Sequence, residues 1–244
     1  MQSIRFSHCR SPRPAIRVAE EKRGRIANIM PQYIYLIHDN LTIRRALRDT
    51  LLYDTDHAGI SHYSVIPFAS RSDFLEAVDY VLPGCVLVQV DIQKSDDGEL
   101  ISTLVKKRGE LPIIALCSPC DVPTAVRIIK HGALDVFDLR QSDEDLLEAV
   151  DAGFAVLPER MRRAEIAKIA AERVAALTPK ELEVLRKIAA GMLSKQIAHE
   201  MDLSVRTVEM HRSNMLKRMH VRSMGDCIQM YHLAFREAAF DSAA

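Results

Sequence analysis

The 244-residue chain has no tryptophan, and aromatic residues make up only 5% of it. It also has no apolar run approaching the ~20 residues that a membrane span requires. A membrane-spanning helix is therefore not expected. No hydrophobic secretory stretch stands near Met1, so the five cysteines point to a reducing compartment, the cytoplasm, rather than to a disulfide scaffold. No Ser/His/Asp arrangement, phosphate-cradling glycine loop or metal-ligand spacing is evident, so neither an enzyme nor a bound cofactor or metal is expected. Net charge is lacking as well, with 33 basic and 33 acidic residues, but the zero hides an uneven distribution. Residues 1–29 carry a net +5, residues 30–157 a net −9 and residues 158–244 a net +4. An acidic body beside a basic end suits a protein that meets a polyanion at that end.

What is present is clearest in Leu177–Val221. Thr178-Pro179-Lys180-Glu181 combines a hydroxyl N-cap, proline at the first helical position and glutamate at N3, so a helix starts there. Leu182, Leu185, Ile188 and Ala189 follow at helical spacing, and Gly191 stops the run. Ser194 is expected to cap a second short helix carrying Ile197, Ala198 and Met201. After the brief turn Asp202-Leu203, Ser204 caps a third helix, Val205 to about Met219, with Val208, Met215 and Met219 on its inner stripe.

The outward residues of this third helix suit DNA. Lys195, Arg206 and Thr207 stand near helix N-termini, where cations, hydroxyls and the helix dipole can meet phosphates. Ser204, Arg212 and Lys217 complete the polar and cationic surface. Glu209, Met210 and Ser213 lie one turn further in. There a carboxylate can accept from cytosine, a methionine can touch a thymine methyl, and serine is permissive. Two basic helices often make nothing more than a solvated bundle face. Here caps, spacing and turn length agree on one motif, a helix presented to the major groove.

The segment resembles the LuxR-type helix-turn-helix, the output domain of NarL/FixJ-class response regulators. The residues that carry the resemblance are Leu177-Thr178, Glu181, Val184-Leu185, Gly191, Lys195, Ile197-Ala198, Leu203-Ser204, Thr207-Val208, His211, Asn214, Met219 and Val221. It implies a fourth helix, about Ser223–Arg236, that pairs two copies. Ser223-Met224-Gly225-Asp226 would cap it, and Ile228, Tyr231, Leu233 and Phe235 would give apolar surface. Packing onto its own domain is the plainer role for those residues.

From Tyr33 the chain alternates short apolar strands (Tyr33–Ile37, Ser64–Phe68, Val86–Val90, Ile113–Leu116, Val136–Asp138) with amphipathic helices. The helices fall near Thr42–Tyr53, Arg71–Val81, Gly98–Lys107, Val122–His131 and from Asp143 onward. Five β/α units predict an α/β domain with a five-stranded parallel, flavodoxin-like sheet and functional groups at the strand C-terminal ends. The region resembles a response-regulator receiver, most closely in Cys120–Val126 and Gly132–Asp135, with Asp54–His62 as an apparent insertion.

Receiver chemistry implies an acid pair after the first strand to hold Mg²⁺, an aspartate nucleophile after the third, Thr/Ser after the fourth and Lys after the fifth. In this sequence the corresponding residues are His38-Asp39, Val90, Cys117 and Leu139-Arg140. Asp91 is one residue from the nucleophile slot, and a one-residue shift in a strand turns the side chain to the other face. A degenerate receiver that does not use phosphate is the expectation; a phospho-switch at Asp91 is the alternative. Cys117-Ser118-Pro119-Cys120 is a C-x-x-C pair at the fourth strand end, and a redox role for Cys117 and Cys120 is a further alternative. Cysteine is equally at home as a small core residue. A metal held by His38, Asp39, Cys117 and Cys120 would have acceptable ligand types, but nothing in the sequence brings them together.

The expected organisation is a disordered basic tail at 1–29, a receiver-like domain at 30–157, a helical linker at 158–176 kinked near Pro158, and an all-α four-helix DNA-binding domain at 177–244. Met30 is a candidate start. The reading is a cytoplasmic transcription regulator with three expected partners: double-stranded DNA, a second copy of the chain and RNA polymerase. A module that sequesters another regulator and an oxidoreductase using the cysteine pair are the readings from other classes.

Overall fold

The computed structural model describes residues 32–53, 62–90 and 97–240, with side chains of 97 and 236–240 excepted. The basic tail, most of the Asp54–His62 stretch and Asp91 lie outside the described residues.

Five strands, β1 (Gln32–Ile37), β2 (Tyr63–Phe68), β3 (Gly84–Gln89), β4 (Ile113–Cys117) and β5 (Asp135–Asp138), form one sheet in the order β2-β1-β3-β4-β5. Every neighbouring pair is parallel. Because side chains alternate across a strand, each strand supplies two cores. Ile34, Leu36, Leu87, Ile114 and Leu116 pack under α1 (Leu41–Tyr53) and α5 (Asp143–Ala175), meeting Leu47, Leu51, Leu146 and Val150. Tyr35, Ile37, Val86, Val88, Ile113 and Ala115 face α2 (Arg71–Ala77), α3 (Asp97–Arg108) and α4 (Val122–Lys130), meeting Phe74, Ile101, Leu104 and Ile128.

Three receiver elements end earlier than their sequence patterns predict, α4 by the single residue His131. β3 stops at Gln89, although the Val90 N–H still donates to the Leu116 carbonyl at 2.8 Å. α2 stops at Ala77 instead of Val81, and the Arg108 guanidinium donates to the Val78 and Val81 carbonyls at 2.7 and 3.1 Å. Those carbonyls are satisfied from outside the helix, so the chain need not continue helical to pair them.

α5 begins at a capping box between Ser142 and Asp145 and continues for 33 residues, straight through Pro158. Its first half packs on the sheet. Gly153 permits close approach there, since a Cβ at that position would lie 3.0 Å from the Cys85 Sγ. Tyr63 stacks on Phe154 and its hydroxyl donates to Asp151 at 2.6 Å. At its far end Ala170 and Val174 are buried, and Val174 belongs to the C-terminal core. The stretch expected to be a separate linker is thus one helix with the end of the receiver, and its last turns are core rather than spacer.

The C-terminal unit is all-helical: α6 (Pro179–Ala189), α7 (Ser194–Glu200), α8 (Val205–Arg218) and α9 (Met224–Phe240). Its core comprises Val174, Leu177, Val184, Leu185, Ile188, Ile197, Ala198, Val208, Met215, Met219 and Cys227. The Thr178/Glu181 capping box opens α6, and Gly191, at a φ of +85°, lets the chain turn after it. Ser223 and Asp226 cap one another's backbone N–H groups at the start of α9. Ile228, Met230, Tyr231 and Ala234 turn α9 onto this core, and the Arg173 guanidinium of α5 reaches the Met230 Sδ. Among the described residues no helix is long and apolar enough to cross a membrane.

Candidate nucleic-acid interface and strand-end pocket

The interface is built on α7 and α8. Ser204 caps α8 as the sequence predicts: its Oγ accepts from the Thr207 N–H at 3.0 Å and lies 2.8 Å from the Thr207 Oγ1. Both hydroxyls are therefore already bonded to each other at the helix N-terminus. Val208, Met215 and Met219 are fully buried and fix the rotation of α8. That rotation leaves Arg206, Glu209, Met210, Ser213 and Lys217 exposed, and Lys195 exposed on α7. Met210 is 53% exposed, a large apolar side chain on an otherwise polar face. Thr207 and Arg212 are half-buried.

Ser194 is not the cap of α7. The N-cap is Leu193, whose N–H is taken by the Gln196 Oε1 at 2.8 Å, and Ser194 is the first helical residue. With its backbone in the helix, the Ser194 hydroxyl turns across to α8 and donates to the Glu209 Oε1 at 2.6 Å. Arg212 completes the group, 3.5 Å from the other Glu209 oxygen and 3.4 Å from the Ser194 Oγ. Glu209 is thus held by a serine and an arginine that also contact each other. Sequence spacing gave Glu209 an isolated reading role; the cross-helix partner, 15 residues away, was invisible to it.

Beneath the helix, Glu181 is 2% exposed. Burial raises its pKa, but hydrogen bonds from the Thr178 backbone and hydroxyl, with Arg218 and His211 nearby, outweigh that and hold it below the usual carboxylate value. The charged form is the one the fold uses.

The strand C-terminal ends bring together the other set of sequence-derived residues. The His38 Nδ1 lies 3.5 Å from an Asp39 carboxylate oxygen, but the two side chains differ sharply in exposure. His38 is 3% exposed and its Nδ1 accepts the Asn40 N–H at 3.1 Å, while the Asp39 side chain is 74% exposed. Burial lowers the His38 pKa, against the upward pull of Asp39. Val90 is 4% exposed and packs in the same apolar cluster as Val88, Cys117 and the partly buried Cys120. Leu139 packs on the opposite face, beside Leu146 and Phe137. Asp91 lies outside the described residues. Among the described residues no group of three or more His, Cys, Asp or Glu side chains is arranged to hold a metal ion.

Guanidinium groups occupy this end of the sheet, among them Arg44 and Arg71, which linear spacing did not single out. Arg44 donates to the His38 carbonyl and, at 3.3 Å, to that of Asp39. Arg71 donates to the Gln89 carbonyl at 2.8 Å, and the Gln89 side chain accepts the Asp39 N–H at 3.0 Å. Arg140 forks onto Asp138, which also accepts the Cys120 N–H at 3.0 Å. These bonds keep the Asp138 carboxyl far below the usual range. The strand-end carbonyls and the Asp138 carboxylate thus have protein cations as partners.

Known proteins were compared with this geometry. The family described as "Bacterial regulatory proteins, luxR family" matches residues 175–231. The transcriptional regulatory protein FixJ of Bradyrhizobium diazoefficiens is 30% identical over 198 residues, covering 81% of this chain and 93% of FixJ. The response regulator protein TodT of Pseudomonas putida is 30% identical over 197 residues, covering 81% and 84% respectively. The solved structure of the response regulator StyR aligns with a TM-score of 0.51 at 25% identity, over 83% of this chain and 99% of that one. The sheet order, the helical C-terminal domain and these relatives agree: the chain belongs to the FixJ-type response regulators with a LuxR-type DNA-binding domain, a family of transcription factors.

Proposed function

We propose that this response regulator reads a specific DNA site through α8 as a dimer and does so without aspartyl phosphorylation. The observation that carries the second half is Val90. A side chain in an apolar cluster stands at the nucleophile slot, and a buried carboxylate there would lack both an acid pair and a lysine around it. The guanidinium partners of the strand-end carbonyls support the same reading, since a divalent cation would compete with Arg44 and Arg71 for that position.

On the DNA side, Lys195, Arg206 and Lys217 supply phosphate contacts, while Glu209, Met210, Arg212 and Ser213 face base edges. Ser204 and Thr207 shape the N-terminus of α8 that approaches the backbone. A dimer would set two copies of α8 about one DNA turn, ~34 Å, apart on two half-sites. Such a regulator works on chromosomal DNA in the cytoplasm and meets RNA polymerase there.

The test is incubation of the full chain with acetyl phosphate and Mg²⁺, read by intact mass, alongside DNA binding with and without the treatment. No adduct and unchanged affinity are expected. A phosphoryl adduct that disappears in Asp91→Asn overturns the reading and makes Asp91 the switch.

A further inference from the structure

The receiver carries two thiols side by side where no phosphate chemistry uses them. Cys117 ends β4 and is 1% exposed; Cys120 is half-buried, three residues on, just before the Asp121 N-cap of α4. Cys120 packs on the apolar cluster that contains Cys117, and the Cys120 and Cys117 thiols donate to the carbonyls of Asp121 and Phe137 at 3.8 and 3.7 Å respectively. The turn between them is anchored from β5 at both ends. The Leu139 N–H donates to the Cys117 carbonyl at 2.9 Å, and Asp138 accepts the Cys120 N–H at 3.0 Å. Arg140 is close enough to interact electrostatically with both sulfurs. Cys85 and Cys227 are buried in two other clusters.

We propose that Cys117 and Cys120 form a reversible intramolecular disulfide with a hydroperoxide as oxidant. Their unequal exposure divides the work. Cys120, the sulfur within reach of solvent, attacks one peroxide oxygen as the thiolate. The O–O bond breaks, hydroxide (or alkoxide) leaves, and Cys120 becomes a sulfenic acid. The Cys117 sulfur then attacks the Cys120 sulfur. An S–S bond forms, the S–O bond breaks, and water departs with the Cys117 proton. In sum, two thiols and hydrogen peroxide give one disulfide and two waters. A small dithiol reverses the step by exchange. A pair three residues apart is the spacing that reactive dithiols use, and both cysteines stand in one cluster at the end of β4.

The experiment treats the full-length chain with equimolar hydrogen peroxide, alkylates under denaturing conditions and maps the digest without reduction. The expected result is a peptide containing both Cys117 and Cys120, lighter by two hydrogens and unalkylated, while Cys85 and Cys227 are fully alkylated. Dithiothreitol restores alkylation at both. In Cys117→Ser the Cys120 sulfenic acid has no partner and is trapped by dimedone. Should that variant fail to fold, Cys120→Ser, at the more exposed position, leaves Cys117 unoxidised and fully alkylated. Full alkylation of Cys117 and Cys120 in the treated native chain overturns the proposal. So does a Cys120 bridge to any other cysteine, or over-oxidation of Cys120 with Cys117 still free.

Discussion

The Arg218 Nε lies 3.3 Å from the Oε2 of Glu181, a carboxylate with 3% side-chain exposure that also takes both the backbone N–H and the hydroxyl of Thr178. One buried charge therefore joins the start of α6 to the end of α8. Glu181→Ala strands the half-buried Thr178 donors while Arg218, 50% exposed, returns to water, so the cost should be about 2–3 kcal/mol. Thr178→Ala, which removes only the cap, should cost about 1 kcal/mol. Chemical unfolding of the full chain, followed in the C-terminal transition, gives both values, and equal effects would contradict the ion-pair role.

The same carboxylate sets a pH dependence. Its folded pKa is below the unfolded value of about 4.5. Its contribution is therefore complete above that value and is lost as pH falls through the folded pKa. Wild type should lose C-terminal stability more steeply below about pH 4.5 than Glu181→Gln does. Parallel pH profiles would remove Glu181 from the acid response.

Val90→Asp restores an acid to the strand end but puts it in an apolar cluster. An unpaired buried polar group costs on the order of 2 kcal/mol or more, so the receiver's melting temperature should drop by several degrees, on the order of 5 °C. Unchanged thermal stability would mean that the side chain at 90 reaches water.

On the DNA face, Lys195→Ala should weaken binding to all sequences alike and reduce the salt slope by about one. Glu209→Ala and Ser194→Ala should instead relax preference at the same base position, because the two side chains are one hydrogen-bonded unit. The double variant should match the stronger single one within about 0.5 kcal/mol. Strict additivity in a binding-site selection would break the unit apart.

A fragment beginning at 177 lacks Ala170 and Val174, which are buried in the full chain. Extending it back to 165 should raise its unfolding free energy by about 2–4 kcal/mol, the cost range of emptying apolar side chains from a core. Identical melts for the two fragments would return α5 to the role of spacer.

The order of strands and helices was legible because buried parallel strands read as apolar runs and because Thr178, Ser204 and Ser223 carry their caps in adjacent sequence. The substituted strand-end residues were legible for the same reason: each follows a strand whose position the pattern fixes. What escaped were partners brought together by the fold. Arg44 and Arg71 lie on different helices, and only the sheet order brings them to one edge. Ser194 looked like a cap from its neighbours alone; the Gln196 and Ile197 N–H groups go to the Leu193 carbonyl instead, which leaves the Ser194 hydroxyl free for Glu209. Pro158 suggested a kink in a connecting helix, and α5 runs as one helix through it from the end of the receiver, with buried residues on either side at Leu146–Gly153 and Ala170–Val174. Local propensity loses to packing when both ends of a helix are anchored.

A helix anchored at both ends also has a phase. At 3.6 residues per turn, the turns from Leu146 to Val150 and those from Ala170 to Val174 are locked in a fixed angular relation, and each added residue between them advances it by about 100°. A single alanine inserted in the exposed stretch near Arg162 would leave each core intact while swinging one sideways around the other. Two copies of such a variant would present their α8 helices out of step with the turn of the duplex. The length of α5 is therefore a gear setting: binding to paired half-sites should fail with one inserted residue and return in part with four, when the helix has come nearly full circle.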